Sequence, residues 1–151
     1  MKRPFVSLHV RAFCHATEDL AKVELSMRNV AGDIELTSKR TEGHHGNELI
    51  VIEGDSTKSE DAEALLRRLR ADDLRTISES AEQRMDESCN LFMRFDKQLA
   101  YGGEAVLTRS DDAVSVRVKV SAFPARVETA IRAVREHISD ILAARDDPGR
   151  Q

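Results

Sequence analysis

The sequence of 151 residues contains few of the residue types on which several common functional sites depend. It has no tryptophan and one tyrosine, so it offers little material for a surface on which rows of aromatic rings stack bases. Its two cysteines, Cys14 and Cys89, are far apart in sequence and form no CxxC pair, which argues against a zinc knuckle or a redox motif. We therefore expect neither a structural metal nor a bound cofactor.

Long apolar runs and nucleotide-binding motifs are also absent. The N-terminal residues pass directly into an alternating pattern, with no apolar segment typical of a signal peptide and no run of transmembrane length. We therefore expect a cytoplasmic protein that does not enter a membrane. The sequence lacks GxxxxGK[ST], a GxGxxG motif after a strand and HExxH, so no phosphate-loop, dinucleotide or zinc-protease chemistry is indicated.

Length and composition are typical of one globular domain, with 40% hydrophobic and 33% charged residues. We predict a single domain over residues 1–145, followed by a flexible polar tail over 146–151. The net charge is −4 and the isoelectric point is near 5.8. A surface for nucleic acid would therefore have to arise from local segregation of basic side chains.

Two segments alternate with a period of two, which predicts strands with one buried face. In residues 6–12 the apolar side begins with Val6, while His9 and Arg11 point the other way. In residues 114–120 every second residue is valine, and Arg117 and Lys119 point outward. Further strands are predicted over 34–41, 49–52 and 91–95. The apolar run 49–52 fits either a strand covered on both faces or one beside a dimer contact, so a homodimer is left open.

Apolar residues at helical spacing predict helices over 18–31, over 57–69, from 74 to about 81 and after Pro124. Thr17 is the expected N-cap of the first helix and Gly32 its end, while Thr57 and Glu60 suggest a capping box for the second. Residues 97–101 suggest a helical turn. The order of these elements predicts an α+β fold, with a mostly antiparallel sheet and helices packed on one face.

The outward side of the predicted sheet collects basic residues. His9, Arg11, Arg117 and Lys119 would share this side, and Lys39 and Arg94 would join it in a suitable register. Acidic residues are concentrated in the predicted helices and loops. Such a face would attract phosphates through Coulomb attraction and counterion release. The alternative interpretation is that these side chains are ordinary solvated surface.

A turn over residues 42–47 contains two adjacent histidines, His44 and His45, between glycines. It can serve only the hairpin, form an anion-binding nest for RNA, or hold a metal ion. Adjacent histidines of a strand point to opposite faces, and no partner spacing supports zinc. Cys14 and His15, as neighbours, are also poorly placed for nucleophilic catalysis, so a buried cysteine at a strand end is the simpler interpretation.

Four segments resemble motifs of a known family. Residues 10–19, VRAFCHATED, resemble its pattern IR.F.HATED, and residues 42–47, EGHHGN, resemble EGH.GN. Residues 94–101, RFDKQLAY, resemble R.DKQ.AY.G, and residues 116–124 resemble R.K..AFP. The four motifs occur in the family's order, and the resemblance as a whole covers about residues 5 to 140. On the basis of these motifs, the chain is identified as similar to archaeal proteins described as RNA-binding or as predicted exosome subunits.

The resemblance implies an α+β fold similar to the large-subunit ribosomal protein that binds 5S RNA. It also implies a non-enzymatic RNA-binding function linked to RNA processing or degradation, with the exosome or other RNA-processing proteins as further partners. We expect arginines and lysines to contact phosphates, and Gln98 and Tyr101 to contact bases or ribose. The predicted RNA-binding residues are Arg11, His15, His44, His45, Arg94, Lys97, Gln98, Tyr101, Arg117 and Lys119.

Two other functions stay open on the sequence. The protein could be an adaptor that joins an RNA-processing assembly through its sheet or through the edge at residues 49–52, with little RNA contact. It could also be a small nucleotide-directed enzyme in which His44, His45, Asp96 and Lys97 converge in a pocket. For Asp96 and Lys97, a local ion pair or an N-cap is the ordinary explanation.

Overall fold

The computed structural model describes residues 4–42 and 48–146, which contain five strands and six helices. The strands are β1 (Phe5–His15), β2 (Leu36–Glu42), β3 (Glu48–Ser56), β4 (Asn90–Asp96) and β5 (Ala113–Val120). The helices are α1 (Leu20–Ala31), α2 (Ser59–Arg68), α3 (Ala71–Glu79), α4 (Ala81–Arg84), α5 (Lys97–Tyr101) and α6 (Val127–Asp146). Among these residues, no helix is both long and apolar enough to cross a membrane.

The strands form one sheet in the order β2-β3-β1-β5-β4, and every neighbouring pair is antiparallel. Helices α1 and α2 pack against β1, and α4 packs against β4, so the helices cover one face. The other face of an antiparallel sheet can remain in contact with water, and here it does. The predicted α+β class, with an antiparallel sheet and helices on one face, is confirmed.

The alternation predicted for β5 is confirmed. Val114, Val116, Val118 and Val120 are each at most 2% exposed and pack beneath the helices. The first strand differs at its start, where the pairing of β1 with β5 shifts register between Phe5 and Ser7. Phe5 therefore takes the buried position, and the expectation that Val6 points inward is wrong, since Val6 is 46% exposed.

The helix ends correct two expectations about caps. The carboxylate of Asp19, and not Thr17, caps α1 by accepting hydrogen bonds from the backbone N–H groups of Ala21 and Lys22 at 2.9 and 3.4 Å. The predicted capping box at Thr57 is also wrong, because α2 begins after Lys58 and has no side-chain cap. The end of α1 at Gly32 is confirmed, and its φ of +98° suits glycine.

The predicted short helix α5 is confirmed, and Asp96 is its N-cap. One carboxylate oxygen of Asp96 accepts a 2.9 Å hydrogen bond from the backbone N–H of Leu99. This is the ordinary role expected for Asp96.

The apolar run at residues 49–52 belongs to β3, which pairs with β2 on one side and β1 on the other. Ile52 is fully buried beneath the helices, while Val51 is half-buried on the open face. The alternative of a strand covered on both faces is therefore wrong. The turn residues His44 and His45 lie outside the described residues, as do residues 147–151 of the tail predicted over 146–151, while Asp146 ends α6.

Candidate nucleic-acid interface

The open face of the sheet carries an arginine from each of three adjacent strands. Arg11 of β1 and Arg94 of β4 both pair with Ser115 of β5, which lies between them. Their Cα atoms are thus two strand spacings apart, about 10 Å. Arg117 lies two residues along β5 from Ser115 and therefore points to the same face. The structure thus brings together three of the predicted site residues.

Two of these guanidinium groups have no carboxylate partner within the described part of the chain. For Arg117 neither an ion pair nor a side-chain hydrogen bond is found there. Arg11 has no ion pair or side-chain hydrogen bond among the described residues, although Glu53 lies opposite it on β3, and its guanidinium carbon is 5.5 Å from the centroid of the Phe13 ring. Arg94 donates a 2.9 Å hydrogen bond to Asp111, a residue whose side chain is 99% exposed. Exposed guanidinium groups of this kind are available to phosphate oxygens.

Lys119 extends the basic surface along β5, where it lies between Ser7 and Asn90 of the neighbouring strands. Its ammonium group donates a hydrogen bond to the carbonyl oxygen of Ser88. Lys39 of β2 also faces this side, opposite Val51, at the far end of the sheet. Both lysines therefore lie on the face that the sequence predicted.

Two acidic residues on the open face belong to β3. Asp55 lies 2.7 Å from Nδ1 of His9, and Glu53 lies 3.7 Å from Nε2 of the same ring. The expectation that acidic residues concentrate in helices and loops missed these two, because the predicted strand ended at Ile52. The open face is consequently divided into an acidic part over β3 and a basic part over β1, β5 and β4. We call the latter the basic face and define it by Arg11, Arg94, Arg117 and Lys119.

A shallow concavity of about 420 Å³ lies on the basic face and extends to His9 and Glu53 at the border of the acidic part. Arg11, Arg94, Arg117 and Phe92 are among the residues that line it. Phe92 is 44% exposed and lies directly opposite Arg117. Sequence reasoning missed Phe92, although its position between the inward-facing residues of β4 was a sufficient signal.

A further arginine, Arg84, lies beside the outer edge of β4. Nη1 of Arg84 donates a 3.3 Å hydrogen bond to the carbonyl oxygen of Phe92. Burial lowers the pKa of the Arg84 guanidinium, and the nearby charge of Arg94 lowers it further, while Asp73 opposes the shift. Arg84 and Arg94 therefore lie close enough at this edge for the charge of one to affect the other.

The predicted contact residue Lys97 is placed differently. Its side chain is 6% exposed, and its ammonium group lies 3.0 and 3.1 Å from the two carboxylate oxygens of Glu18 and 2.7 Å from Asp112. His15, which is half-exposed, has Nε2 3.4 Å from the same oxygen of Asp112. The charge of Lys97 is already neutralised and shielded, so this lysine joins three segments of the chain and offers little to a phosphate.

This cluster also sets the titration of Asp112. Burial by itself would raise the pKa of the Asp112 carboxyl, but the hydrogen bond and charge of Lys97, with a smaller effect of His15, hold the pKa below its ordinary value. The ligand atoms of His15, Glu18 and Asp112 lie within 4.8 Å of one another, a spacing that a metal ion could use. The ammonium of Lys97 bonds to both carboxylates, however, and its charge opposes a second cation there.

Gln98 and Tyr101 lie on α5, which packs against α1 on the helix-covered side. Both residues are exposed, and the ammonium of Lys22 lies 5.7 Å from the centroid of the Tyr101 ring. They are therefore not part of the basic face. Cys14 is buried at the end of β1, as predicted, and burial raises the pKa of its thiol, which disfavours the reactive thiolate.

A family model described as RNA binding matches residues 7–120. The chain belongs to this RNA-binding family. A curated relative, RNA-binding protein PAB1135 from Pyrococcus abyssi, is 35% identical over 140 residues, which are 86% of this chain and 91% of the relative. The family match over residues 7–120 includes all four residues that define the basic face. The family is named for binding RNA and not for a reaction, in agreement with the prediction of a non-enzymatic protein.

Solved structures of archaeal proteins have the same fold. Mth689, a DUF54 protein from Methanothermobacter thermautotrophicus, superimposes with a TM-score of 0.75 at 30% identity, over 91% of this chain and 98% of that chain. SSO0741 from Sulfolobus solfataricus superimposes with a TM-score of 0.73 at 22% identity, over 92% and 98% respectively. The second likeness concerns the fold alone.

Proposed function

We propose that this protein binds RNA on the basic face, with Arg11, Arg94 and Arg117 contacting phosphates. The observation that carries the proposal is the meeting of three exposed guanidinium groups on one open face, two of them without a carboxylate partner in the described residues. Guanidinium groups bind phosphate through paired N–H donors, and neutralised phosphates release condensed counterions. A net-acidic chain can therefore attract RNA through one segregated surface.

The distribution of charge favours one path for the RNA. Glu53 and Asp55 on β3 would repel phosphates, whereas β5 and β4 carry only basic or neutral side chains between Arg94 and Lys119. The RNA backbone would therefore follow the side of the sheet formed by β1, β5 and β4. His15 is exposed at the end of β1, so a longer RNA would reach it. Gln98 and Tyr101 lie on the helix-covered side, and an RNA would contact them by continuing around this end of the sheet.

Within this proposal Lys97 has a structural role, which is to hold the site together, and does not contact phosphate. The role in RNA processing or degradation, the association with the exosome, the likeness to the 5S-RNA-binding ribosomal protein and the cytoplasmic location are further parts of the proposal. They rest on the resemblance of the four motifs. The adaptor function receives no support from the strand edge expected at residues 49–52, because β2 covers it and β2 itself presents mostly exposed polar side chains.

A charge-matched pair of variants tests the proposal. Arg11→Gln with Arg117→Gln removes two charges from the basic face, and Arg126→Gln with Arg132→Gln removes two exposed charges at the start of α6, on the helix-covered side. The affinity for a fluorescent single-stranded RNA is measured at several salt concentrations, after circular dichroism has shown that both variants are folded. We expect the first variant to lose about tenfold in affinity and its log–log salt slope to become shallower by about 1.4, at 0.7 per phosphate contact. Equal affinities of the two variants would overturn the proposal.

A further inference from the structure

We propose that the basic face reads single-stranded RNA, because the exposed ring of Phe92 stacks on an unpaired base. This inference rests on the proposed RNA-binding function and adds the class of RNA to it. It assigns a base-binding position at the edge of the sheet formed by β4, between Arg94 and Arg117.

The environment of Phe92 is that of a stacking platform. Its neighbours in β4, Leu91 and Met93, are at most 1% exposed, so the strand is anchored while the ring of Phe92 stands in solvent. The hydrogen bond from Arg84 to the carbonyl oxygen of Phe92 fixes the backbone at this point. An exposed ring on a rigid strand loses little conformational entropy when a base stacks on it.

Two cations lie on either side of the ring of Phe92. Arg117 lies directly opposite Phe92 on β5, and Arg94 follows it two residues along β4 on the same face. Aromatic rings interleaved with basic side chains are the arrangement with which proteins bind single strands, since the rings take bases and the cations take the backbone. A docked apolar peptide would offer no partner to the guanidinium of Arg117, so the surroundings favour a nucleotide.

The second ring on the face, that of Phe13, is less available. The guanidinium of Arg11 lies over it at 5.5 Å from the centroid, so one side of that ring is already covered. Phe92 has no ring or cation contact among the described residues. The stacking position is therefore assigned to Phe92.

A duplex does not fit this arrangement. In an A-form helix the bases are stacked on one another, and proteins reach only their edges through a shallow minor groove. A ring on a broad sheet surface has no route to the face of a paired base. Single strands and loops present free base faces, so we expect a preference for them over a duplex of the same length.

The test uses the absence of tryptophan from the chain. Phe92→Trp introduces a single indole whose fluorescence reports stacking, and Phe92→Leu keeps an apolar side chain but removes the aromatic face. Phe123→Leu is the matched control, since Phe123 is 97% exposed in the segment between β5 and α6. Affinities are measured for a single-stranded RNA and for a blunt duplex of equal length, with thermal unfolding as a check that each variant is folded.

We expect the single strand to bind more tightly than the duplex. Phe92→Leu should then lose about tenfold in affinity for the single strand, the equivalent of about 1.4 kcal/mol of stacking, with an unchanged salt slope. Phe123→Leu should bind like the wild type, and the single strand should quench the fluorescence of Phe92→Trp while the duplex leaves it unchanged.

Different experimental results would overturn the stacking position and the proposed function. If Phe92→Leu binds the single strand like the wild type while the double arginine variant is impaired, the stacking position is wrong and the basic face stands. Equal affinity for single strand and duplex, or an unquenched Phe92→Trp complex, also overturns the stacking position. If the double arginine variant binds normally, the proposed function itself fails.

Discussion

Lys97 donates a 2.7 Å hydrogen bond to Asp112. Lys97 is the first residue of α5, and Asp112 lies just before β5. The same ammonium contacts both carboxylate oxygens of Glu18, which lies just before α1. One buried cation thereby ties three segments together at the end of the sheet where β1 leaves it. His15, and the loop that carries the partner of Arg94, are positioned by this cluster.

Lys97→Met should destabilise the protein by about 2 kcal/mol, because two carboxylates lose a charged partner and repel each other. Chemical denaturation measures the loss. Lys39→Met is the control, since Lys39 is exposed on the edge strand β2. If both variants lose the same stability, the cluster has no structural role. The affinity of folded Lys97→Met for RNA should stay within about twofold of the wild type, because Lys97 does not contact phosphate. The loss of a phosphate contact would lower the affinity by more than this.

The lowered pKa of Asp112 predicts an acid-dependent part of the stability. A carboxyl whose pKa is lower in the folded state stabilises that state above its unfolded pKa, about 3.9, and loses this contribution as the pH falls through the folded value. The Tm of Asp112→Asn should therefore be below that of the wild type at pH 7, and the difference should shrink below about pH 4. Asp111→Asn, at a 99% exposed neighbour, should show almost no Tm difference. A constant difference between wild type and Asp112→Asn across this range would contradict the assignment.

Asp111→Asn should strengthen RNA binding. The carboxylate of Asp111 holds Nη1 of Arg94 at 2.9 Å in an exposed pair, which competes with phosphate for the same guanidinium. Surface pairs are worth about 0.2–1 kcal/mol, so the expected gain in affinity at low salt is between about 1.4-fold and about fivefold. Asp72→Asn, which removes an exposed carboxylate paired with Arg75 on α3, is the control. Weaker binding by Asp111→Asn would show that Arg94 must be held by Asp111 to function.

Gly54→Ala should destabilise the sheet near its β2 edge. A Cβ at Gly54 would lie 2.7 Å from Cδ2 of Leu36 and 2.8 Å from the carbonyl oxygen of Glu35. Because one of these neighbours is backbone, β2 must shift, and we expect a loss of about 1–3 kcal/mol. In the control Gly102→Ala the nearest atom is 3.4 Å away, and φ at Gly102 is −79°. Thermal unfolding compares the two, and equal Tm values would contradict the prediction.

The sequence predicted those features that depend on local periodicity. The inward valines of β5 and the outward positions of Arg11 and Arg117 follow from the alternation of a strand. The register that places Arg94 beside Ser115 was left open, because it depends on how β4 and β5 align. The wrong expectation for Val6 has the same origin, since the shift after Phe5 is a property of the strand pair.

Features that depend on distant partners were not predictable in the same way. Lysine is ordinarily a surface residue. Lys97 is buried because the fold places Glu18 and Asp112 beside its ammonium group. Thr17 was the expected cap of α1, but the helix starts at Leu20, so Asp19 occupies the cap position. Phe92 is different, because its outward position could be read from β4 and the exposed aromatic ring was overlooked.

The most direct test of the basic face is a map of backbone amide shifts in the ¹⁵N-labelled protein during titration with a single-stranded RNA. The account predicts that the largest shifts occur around Arg11 in β1, in β4 and in β5, and that α6 is little affected. Shifts concentrated on α6, with the sheet unchanged, would contradict it.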